Sequence, residues 1–442
     1  MDTLLMPERV LVGTTMEVGR AVLVRDGRIA AVGDSRELAA AHPDVVPVPL
    51  KGQLLVAGGV NGHNHSFQIL MRGLGEDDDF FGWRSQVLYP ISERLSRAEI
   101  RDGALLAFAD MLESGITTVA DFFYLNDGGI DHALAVADAA RTVGIRLVLA
   151  RCFYDWEGAP ARYRETPAQA RHNTRALYDA VGADSLVTVQ VAPHSPHGAS
   201  AAMIEAAVAS AEELAVPLHI HCAEGRYERE ECLNHYGLTP VGWLRERGAL
   251  TARTVLIHAV WVDDRDLDLI AEAGASVIHN PSSNMILGDG IAPVPAMLAR
   301  GVTVGLGTDG GCTNDRSSLF DEMRTAALLQ KVAAQDGKAL DADSSWLMGT
   351  EGGARALQIE AGRLEPGHLA DLVSLDLNDW SLLPGPPTVR HLVYALSPRA
   401  VRSVFVNGRE VVRDGRVVFP GAAELRVRSR NWQTAATGPS PD

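Results

Sequence analysis

Histidines and acids in this chain recur just after short runs of apolar, β-branched residues. His63 and His65 are one residue apart, as are His219 and His221, and Glu224 stands three positions beyond the second pair. His258, His279 and Asp309 follow singly, the last after Gly305-Leu306-Gly307-Thr308. On a strand, residues i and i+2 point the same way, so both imidazoles of a pair can reach one point. Three or four imidazoles with a carboxylate make a borderline donor set, suited to zinc or iron(II). A metal with an open position lowers the pKa of bound water towards neutrality and yields a hydroxide nucleophile. That chemistry needs a separate carboxylate to carry protons between the water and the leaving group. Glu224 stands where such a shuttle is useful. Taken singly, each piece has an ordinary reading: a His-x-His as structure or surface, His258 as a core histidine, Asp309 as a turn or cap residue. Their joint recurrence at strand ends one, five, six and eight favours a metal site.

The elements that must position these residues alternate. The strand signals are Leu54–Val60, Thr117–Ala120, Ile145–Ala150, Leu186–Val191, Pro217–His221, Thr254–His258, Ala275–His279 and Val302–Gly307. Helical stretches lie between them, among them Arg97–Ser114, Asp131–Thr142, Ala201–Leu214, Leu267–Ala273 and Pro295–Arg300. The rhythm predicts an α/β fold, a (β/α)8 TIM barrel, whose site lies at the C-terminal strand ends. Both termini read differently. Arg20–Val24 and Ile29–Val32 flank the turn signal Asp26-Gly27. Val401–Val406 and Glu410–Val412 flank Asn407-Gly408, and Asp414-Gly415 precedes Val417–Phe419. Asp371–Leu377 is a further strand candidate. These runs predict one small β-domain made from both ends, residues 1–53 and 369–428. The barrel, 54–368, is inserted between them, and a polar tail, 429–442, follows.

The composition narrows the class. The 442 residues carry 56 acids against 40 bases, a formal charge of −16. Such a surface repels phosphate backbones and anionic lipid, which argues against nucleic acid or membrane partners. No apolar run reaches the length of a spanning helix. The four cysteines are too few and scattered for a disulfide framework or a closed structural zinc site, and a cytoplasmic location is expected. Of the 40 basic residues only Lys51, Lys331 and Lys338 are lysines.

The motifs Val60-Asn61-Gly62-His63-Asn64-His65, His221-Cys222-Ala223-Glu224, Leu256-Ile257-His258-Ala259, His279-Asn280-Pro281-Ser282-Ser283-Asn284 and Gly307-Thr308-Asp309-Gly310 resemble the amidohydrolase superfamily. Within it they look like the branch of mononuclear-metal deaminases and chlorohydrolases. The resemblance spans nearly the whole chain, the split β-sandwich included. It implies that His63, His65, His221 and Asp309 hold one divalent metal, zinc or else iron(II). It implies Glu224 as the proton shuttle and His258 beside the metal water. His219 becomes a supporting or core residue and His279 a structural one, with Asn280 and Asn284 shaping the seventh loop. Members with two metals bridge them through a carbamylated lysine on strand four. Leu186–Ala192 has none, which favours one metal.

The implied reaction is hydrolytic deamination of a small molecule, an N-heterocycle or a formimino compound, at an amidine-like carbon. An adenosine-type deaminase and a triazine-type chlorohydrolase are alternatives, and a barrel that serves as a non-catalytic scaffold is a third. Gln68, Arg84, Tyr124, His194 and His197 are the candidate substrate contacts. Gln68 can donate and accept, and Arg84 can pair with a carboxylate. Gln68, Arg84 and Tyr124 match positions that grip the substrate in formimidoylglutamate deiminase, but His197 replaces an expected arginine. The stretch Leu88 to Leu95 resembles adenosine-type deaminases, with Ser92 in place of a glutamate expected to hold ribose hydroxyls. The resemblance also implies a homo-oligomer.

Overall fold

The computed structural model describes residues 2–433 of the chain. Its strands, in chain order, are β1 (Thr3–Val12), β2 (Thr15–Val18), β3 (Arg20–Arg25), β4 (Arg28–Asp34), β5 (Pro47–Ala57), β6 (Gly59–Asn64), β7 (Ile116–Phe123), β8 (Arg146–Phe153), β9 (Val187–Pro193), β10 (Leu218–Cys222), β11 (Thr254–His258), β12 (Ser276–His279), β13 (Thr303–Leu306), β14 (Leu372–Asp376), β15 (Val401–Val406), β16 (Arg409–Arg413) and β17 (Arg416–Val417). Strands β6 to β13 lie in sequential order in one eight-stranded parallel sheet, with helices in every crossover. The first and last of them meet where the Asp309 amide donates to the His63 carbonyl at 3.0 Å. This is the α/β barrel that the strand rhythm predicts. Strands β7 and β8 are buried along their whole length, as strands covered on both faces must be.

Several helices begin where a side chain can cap them. Ser96 and Glu99 form a capping box at Arg97–Glu113. Thr166 and Gln169 do the same at Pro167–Val181, where proline opens the first turn. No helix among the described residues is long and apolar enough to cross a membrane.

The run Leu54–Val60 is not one barrel strand. Leu54–Ala57 closes β5, which pairs with β1 and β14 in the other sheet, and the barrel begins at Gly59. The chain passes from one sheet to the other at Gly58, where a Cβ would run into the Thr117 side chain. An unbroken apolar run carries no periodicity that could mark the switch.

The second sheet has nine strands drawn from both ends of the chain. Antiparallel pairing of β5 with β14 joins its two halves. Leu5, Val10, Val22, Val24, Leu55, Leu372 and Phe405 share a core of their own. Asp26-Gly27, Asn407-Gly408 and Asp414-Gly415 all take positive φ, as two-residue hairpin turns require. Strand β17 stops at Val417, short of the expected Phe419. The helix Ala422–Arg430 runs into the expected tail, of which residues 434–442 lie outside the described residues.

A buried ion pair fastens the two sheets together. Arg146, at the start of β8, donates to Asp371 from Nε at 2.6 Å and from Nη2 at 3.1 Å. Its Nη1 donates to the Ser185 carbonyl at 2.8 Å, and Asn407 both accepts from Arg146 and donates its own amide to Asp371.

Candidate active site

The C-terminal ends of four barrel strands converge on one buried point. His63 ends β6 with Asn64, and His65 follows. His221 lies on β10, His258 ends β11, and Asp309 follows β13. His63, His65 and His221 bring nitrogens within 4.8 Å of one another, and so do His63, His258 and Asp309 with their ligand-type atoms. Nε2 of His63 lies 3.3 Å from Oδ1 of Asp309, and Nε2 of His65 lies 3.5 Å from the same oxygen.

The outer hydrogen bonds fix which ring atoms face inward. His65 Nδ1 donates to the Phe122 carbonyl at 2.6 Å, and His221 Nδ1 donates to the His194 carbonyl at 2.7 Å. A neutral imidazole that donates from Nδ1 presents a bare lone pair at Nε2. Burial pushes the His65 pKa down to about 4 and moves that of His221 well below its ordinary value, so both rings are neutral. Nε2 of His63 is buried without a hydrogen-bond partner among the described residues. Asp309 adds a carboxylate whose Oδ2 accepts from Ser283 Oγ at 2.6 Å and whose Oδ1 accepts from the Gly310 amide at 2.8 Å. Bare imidazole nitrogens, one of them orphaned, around a carboxylate oxygen fit a divalent metal of zinc type.

Backbone strain marks the same strand ends. Ala223, His258, Ala259 and Asp309 have φ of 53°, 74°, 48° and 61°, a region that non-glycine residues avoid. Close packing holds them there. A Cβ at Gly307 would meet Asn280 and the His63 backbone, and one at Gly310 would overlap the Gln68 amide.

Glu224 and His258 form the other half of the site. Oε1 of Glu224 lies 3.4 Å from Nε2 of His258, which is 3.9 Å from Oδ2 of Asp309. Burial raises the Glu224 pKa well above the ordinary carboxylate value, and the charges of Asp289, Asp309 and Glu228 raise it further. Glu228 steadies the turn that carries Glu224, accepting the amides of Ala223 and Glu224 at 3.0 and 3.2 Å.

The cavity above this point measures about 580 Å3 with its mouth. Gln68, Arg84, Tyr124, His194 and His197, read from the sequence as substrate contacts, all line it beside His65, His221, Glu224, His258 and Asp309. Gln68 Nε2 donates to the Tyr124 hydroxyl at 2.7 Å. His194 stacks on Tyr154 at 4.1 Å between centroids. Arg84 lies 5.0 to 5.6 Å from the rings of Trp156, Phe81, Tyr89 and Phe80, and no carboxylate among the described residues pairs with it. His219 stays within the barrel, its Nε2 2.6 Å from Gln190 Oε1, and His279 is fully buried.

The structure adds wall residues that sequence reading passes over. Tyr154 and Tyr163, both from the segment after β8, line the cavity with Tyr89, Leu287 and Thr313. Tyr163 and Ser92 share a short hydroxyl–hydroxyl bond. Asp121 on β7 accepts the Ser66 amide and hydroxyl directly behind the His65 turn. An aspartate between Ala120 and Phe122 in a fully buried strand was the signal for it.

Comparison with known proteins agrees with this geometry. Residues 54–411 match the amidohydrolase family, and residues 21–44 match the bacterial imidazolonepropionase-like composite domain. A 5-methylthioadenosine/S-adenosylhomocysteine deaminase from Syntrophobacter fumaroxidans is 37% identical over 93% of this chain and 92% of its own. A 5'-deoxyadenosine deaminase from Methanothermobacter thermautotrophicus is 38% identical over 89% of this chain and 90% of its own. Among solved structures, a zinc-bound adenosine deaminase from Xanthomonas campestris superposes with a TM-score of 0.91 at 28% identity, covering 99% of this chain and 98% of its own. A zinc-bound atrazine chlorohydrolase from Arthrobacter aurescens has a TM-score of 0.89 at 24% identity, over 97% of this chain and 99% of its own, and shares the fold. With its barrel, its inward-facing donor set and a family match across the whole of that barrel, the chain belongs to the amidohydrolase family of metal-dependent hydrolases that act on carbon–nitrogen bonds.

Proposed function

We propose that this protein deaminates a small molecule hydrolytically at an amidine-like carbon. His63, His65, His221 and Asp309 would hold one zinc ion. The observation that carries the reading is the pairing of a buried carboxyl, Glu224, with His258 at 3.4 Å, beside inward-facing imidazole nitrogens. A zinc ion bound there supplies Lewis acidity and lowers the pKa of water. Glu224 takes the water proton and passes it to the substrate nitrogen, and its buried carboxyl suits it to hold that proton. His258 directs an Nε2–H towards the reacting oxygen, because its Nδ1 faces the amides of Asn284 and Asn280 at 2.9 and 3.3 Å. Gln68 and Tyr124 orient the substrate together through their mutual bond. Arg84, without a carboxylate partner among the described residues and set among aromatic rings, receives an anionic group, for which a carboxylate is the natural partner.

The deaminase relatives also support an adenosine-type substrate. Against ribose recognition stands Ser92, whose hydroxyl is engaged by Tyr163. Zinc-loaded protein incubated with 5'-methylthioadenosine, S-adenosylhomocysteine, 5'-deoxyadenosine, purine bases, pterins, triazines and formimino acids tests the proposal. Ammonia release from a formimino acid or a free heterocycle supports it, and release from nucleosides alone restores the adenosine-type reading. Chloride release without ammonia replaces both with chlorohydrolysis. The absence of any product across the panel returns the barrel to a binding scaffold.

A further inference from the structure

We infer that Asp289 is a positioning residue that determines which nitrogen of His258 carries the proton. The inference rests on the reading of His258 as facing the hydrolytic centre. Asp289 lies in the loop after the helix Pro281–Ile286, and its backbone is tied at both ends. Its amide donates to the Asn284 carbonyl at 2.9 Å, and its carbonyl accepts the Trp261 indole at 2.6 Å. Trp261 belongs to the loop that follows His258, so two strand-end loops close on each other through Asp289.

This fixed backbone aims the Asp289 carboxylate at Asn284, whose Nδ2 donates to Oδ2 at 3.1 Å. The same Nδ2 is 2.9 Å from His258 Nδ1. An amide nitrogen has two protons, so it can serve both acceptors at once. The reversed amide would set its oxygen against the ionised carboxylate, oxygen to oxygen, and would ask His258 Nδ1 to donate instead. Asp289 therefore forces Asn284 to present N–H to His258. Nδ1 becomes an acceptor, and the single proton of the neutral ring goes to Nε2.

The consequence reaches the reaction. With its proton on Nε2, His258 is a donor towards Glu224 and Asp309 and cannot be a ligand through that atom. With Asn284 reversed, Nε2 would be a bare lone pair within 4.8 Å of ligand-type atoms of His63 and Asp309. His258 would then join the metal's donor set and occupy the position that water needs. One carboxylate outside the cavity lining thus keeps the coordination position open. Asn280 is the weaker donor at 3.3 Å and has no carboxylate among the described residues to fix its amide, whereas Asn284, whose Oδ1 is unbonded like that of Asn280, is held by Asp289.

The test compares wild type, Asp289→Ala and Asp289→Asn. Long-range 1H–15N spectra of histidine-labelled, zinc-loaded protein report the tautomer of each ring. Absorption of the cobalt(II)-substituted protein reports coordination number. Wild type shows His258 protonated at Nε2. Asp289→Ala shifts it towards Nδ1 and weakens the visible cobalt bands as coordination number rises. Asp289→Asn, which can accept from Asn284 through its oxygen or donate to a reversed Asn284 through its amide, no longer fixes the orientation and gives signatures between those of wild type and alanine. A wild-type His258 protonated at Nδ1 overturns the inference without any variant, as does an alanine variant with unchanged tautomer and cobalt spectrum. Neither readout needs a substrate, so failure of the proposed deamination leaves the result interpretable.

Discussion

Oε1 of Glu224 stands 3.4 Å from Nε2 of His258, and both side chains are almost wholly buried at the ends of adjacent strands. The pair places a proton carrier and a hydrogen-bond donor on one side of the metal-type donor set. Replacing the carboxyl with an amide keeps the shape and removes the carrier. Glu224→Gln is expected to lower kcat by about a hundredfold or more, the range for loss of a general acid–base group. KM and bound metal should stay near wild type, by steady-state kinetics and metal analysis. Near-normal turnover would remove Glu224 from its role.

Metal removal should act through the same shell. Chelation is expected to abolish turnover and lower the melting temperature, because an ion bound only by the folded state stabilises it. Zinc should restore both. His221→Ala should bind substoichiometric metal, since it deletes a nitrogen that the His194 carbonyl aims inward. His219→Ala should keep its metal, because that ring is engaged with Gln190 inside the barrel.

Arg84 offers a test of substrate charge. Its guanidinium sits 5.0 Å from the Trp156 ring and 5.1 Å from that of Phe81. If it receives a carboxylate, Arg84→Ala should raise KM for acidic substrates by about tenfold to a hundredfold, the value of a charge-assisted hydrogen bond. Neutral analogues should be affected little. Arg84→Lys should not restore the loss, because an ammonium neither stacks flat on the rings nor forks two hydrogen bonds. Equal changes for charged and neutral substrates would make Arg84 a loop brace.

The donor set was legible because strand ends one, five, six and eight each carry a ligand-type residue next to an apolar run. The walls were not. Tyr163 comes from a loop, and its bond with Ser92 joins positions 71 residues apart, which no local pattern encodes. Asp289 reads as part of a Gly-Asp-Gly turn, and its bond to Asn284 depends on where Trp261 pins the backbone. The change of sheet at Gly58 escaped for a different reason. The last four residues of β5 and all of β6 are buried, so the apolar run continues across the bend. Asn407 was visible as a turn residue, while its place between Arg146, Asp371 and Ser185 belongs to tertiary structure alone.

That network makes a stability prediction. Arg146 and Asp371 have side-chain exposures of 9% and 0%. Asp371→Ala leaves a buried guanidinium without its counter-charge, and removal of one partner of a buried pair costs about 3–5 kcal/mol. Urea denaturation should show this loss. A change below about 1 kcal/mol, the scale of an exposed pair, would mean that water reaches Arg146.

Asp121 supplies a pH test behind the metal-type site. Burial pushes its pKa up to about 7, from an ordinary value of 3.8, against the lowering effect of the Ser66 amide and hydroxyl. Below about pH 4 the folded and unfolded chains both hold the proton. Between about pH 4 and 7 only the folded chain holds it, so the folded state binds more protons and stability falls as pH rises. Above about pH 7 both forms are ionised and the penalty is constant. Asp121→Asn keeps an oxygen for the Ser66 amide and an N–H for the Ser66 hydroxyl, yet cannot ionise. The wild type should therefore lose stability relative to Asp121→Asn from about pH 4 to 7 and hold a fixed difference above. Paired urea titrations across that range measure it. If the wild type instead gains on the variant as pH rises, Asp121 is a carboxylate in the fold, and its bonds to Ser66 outweigh the burial of its charge.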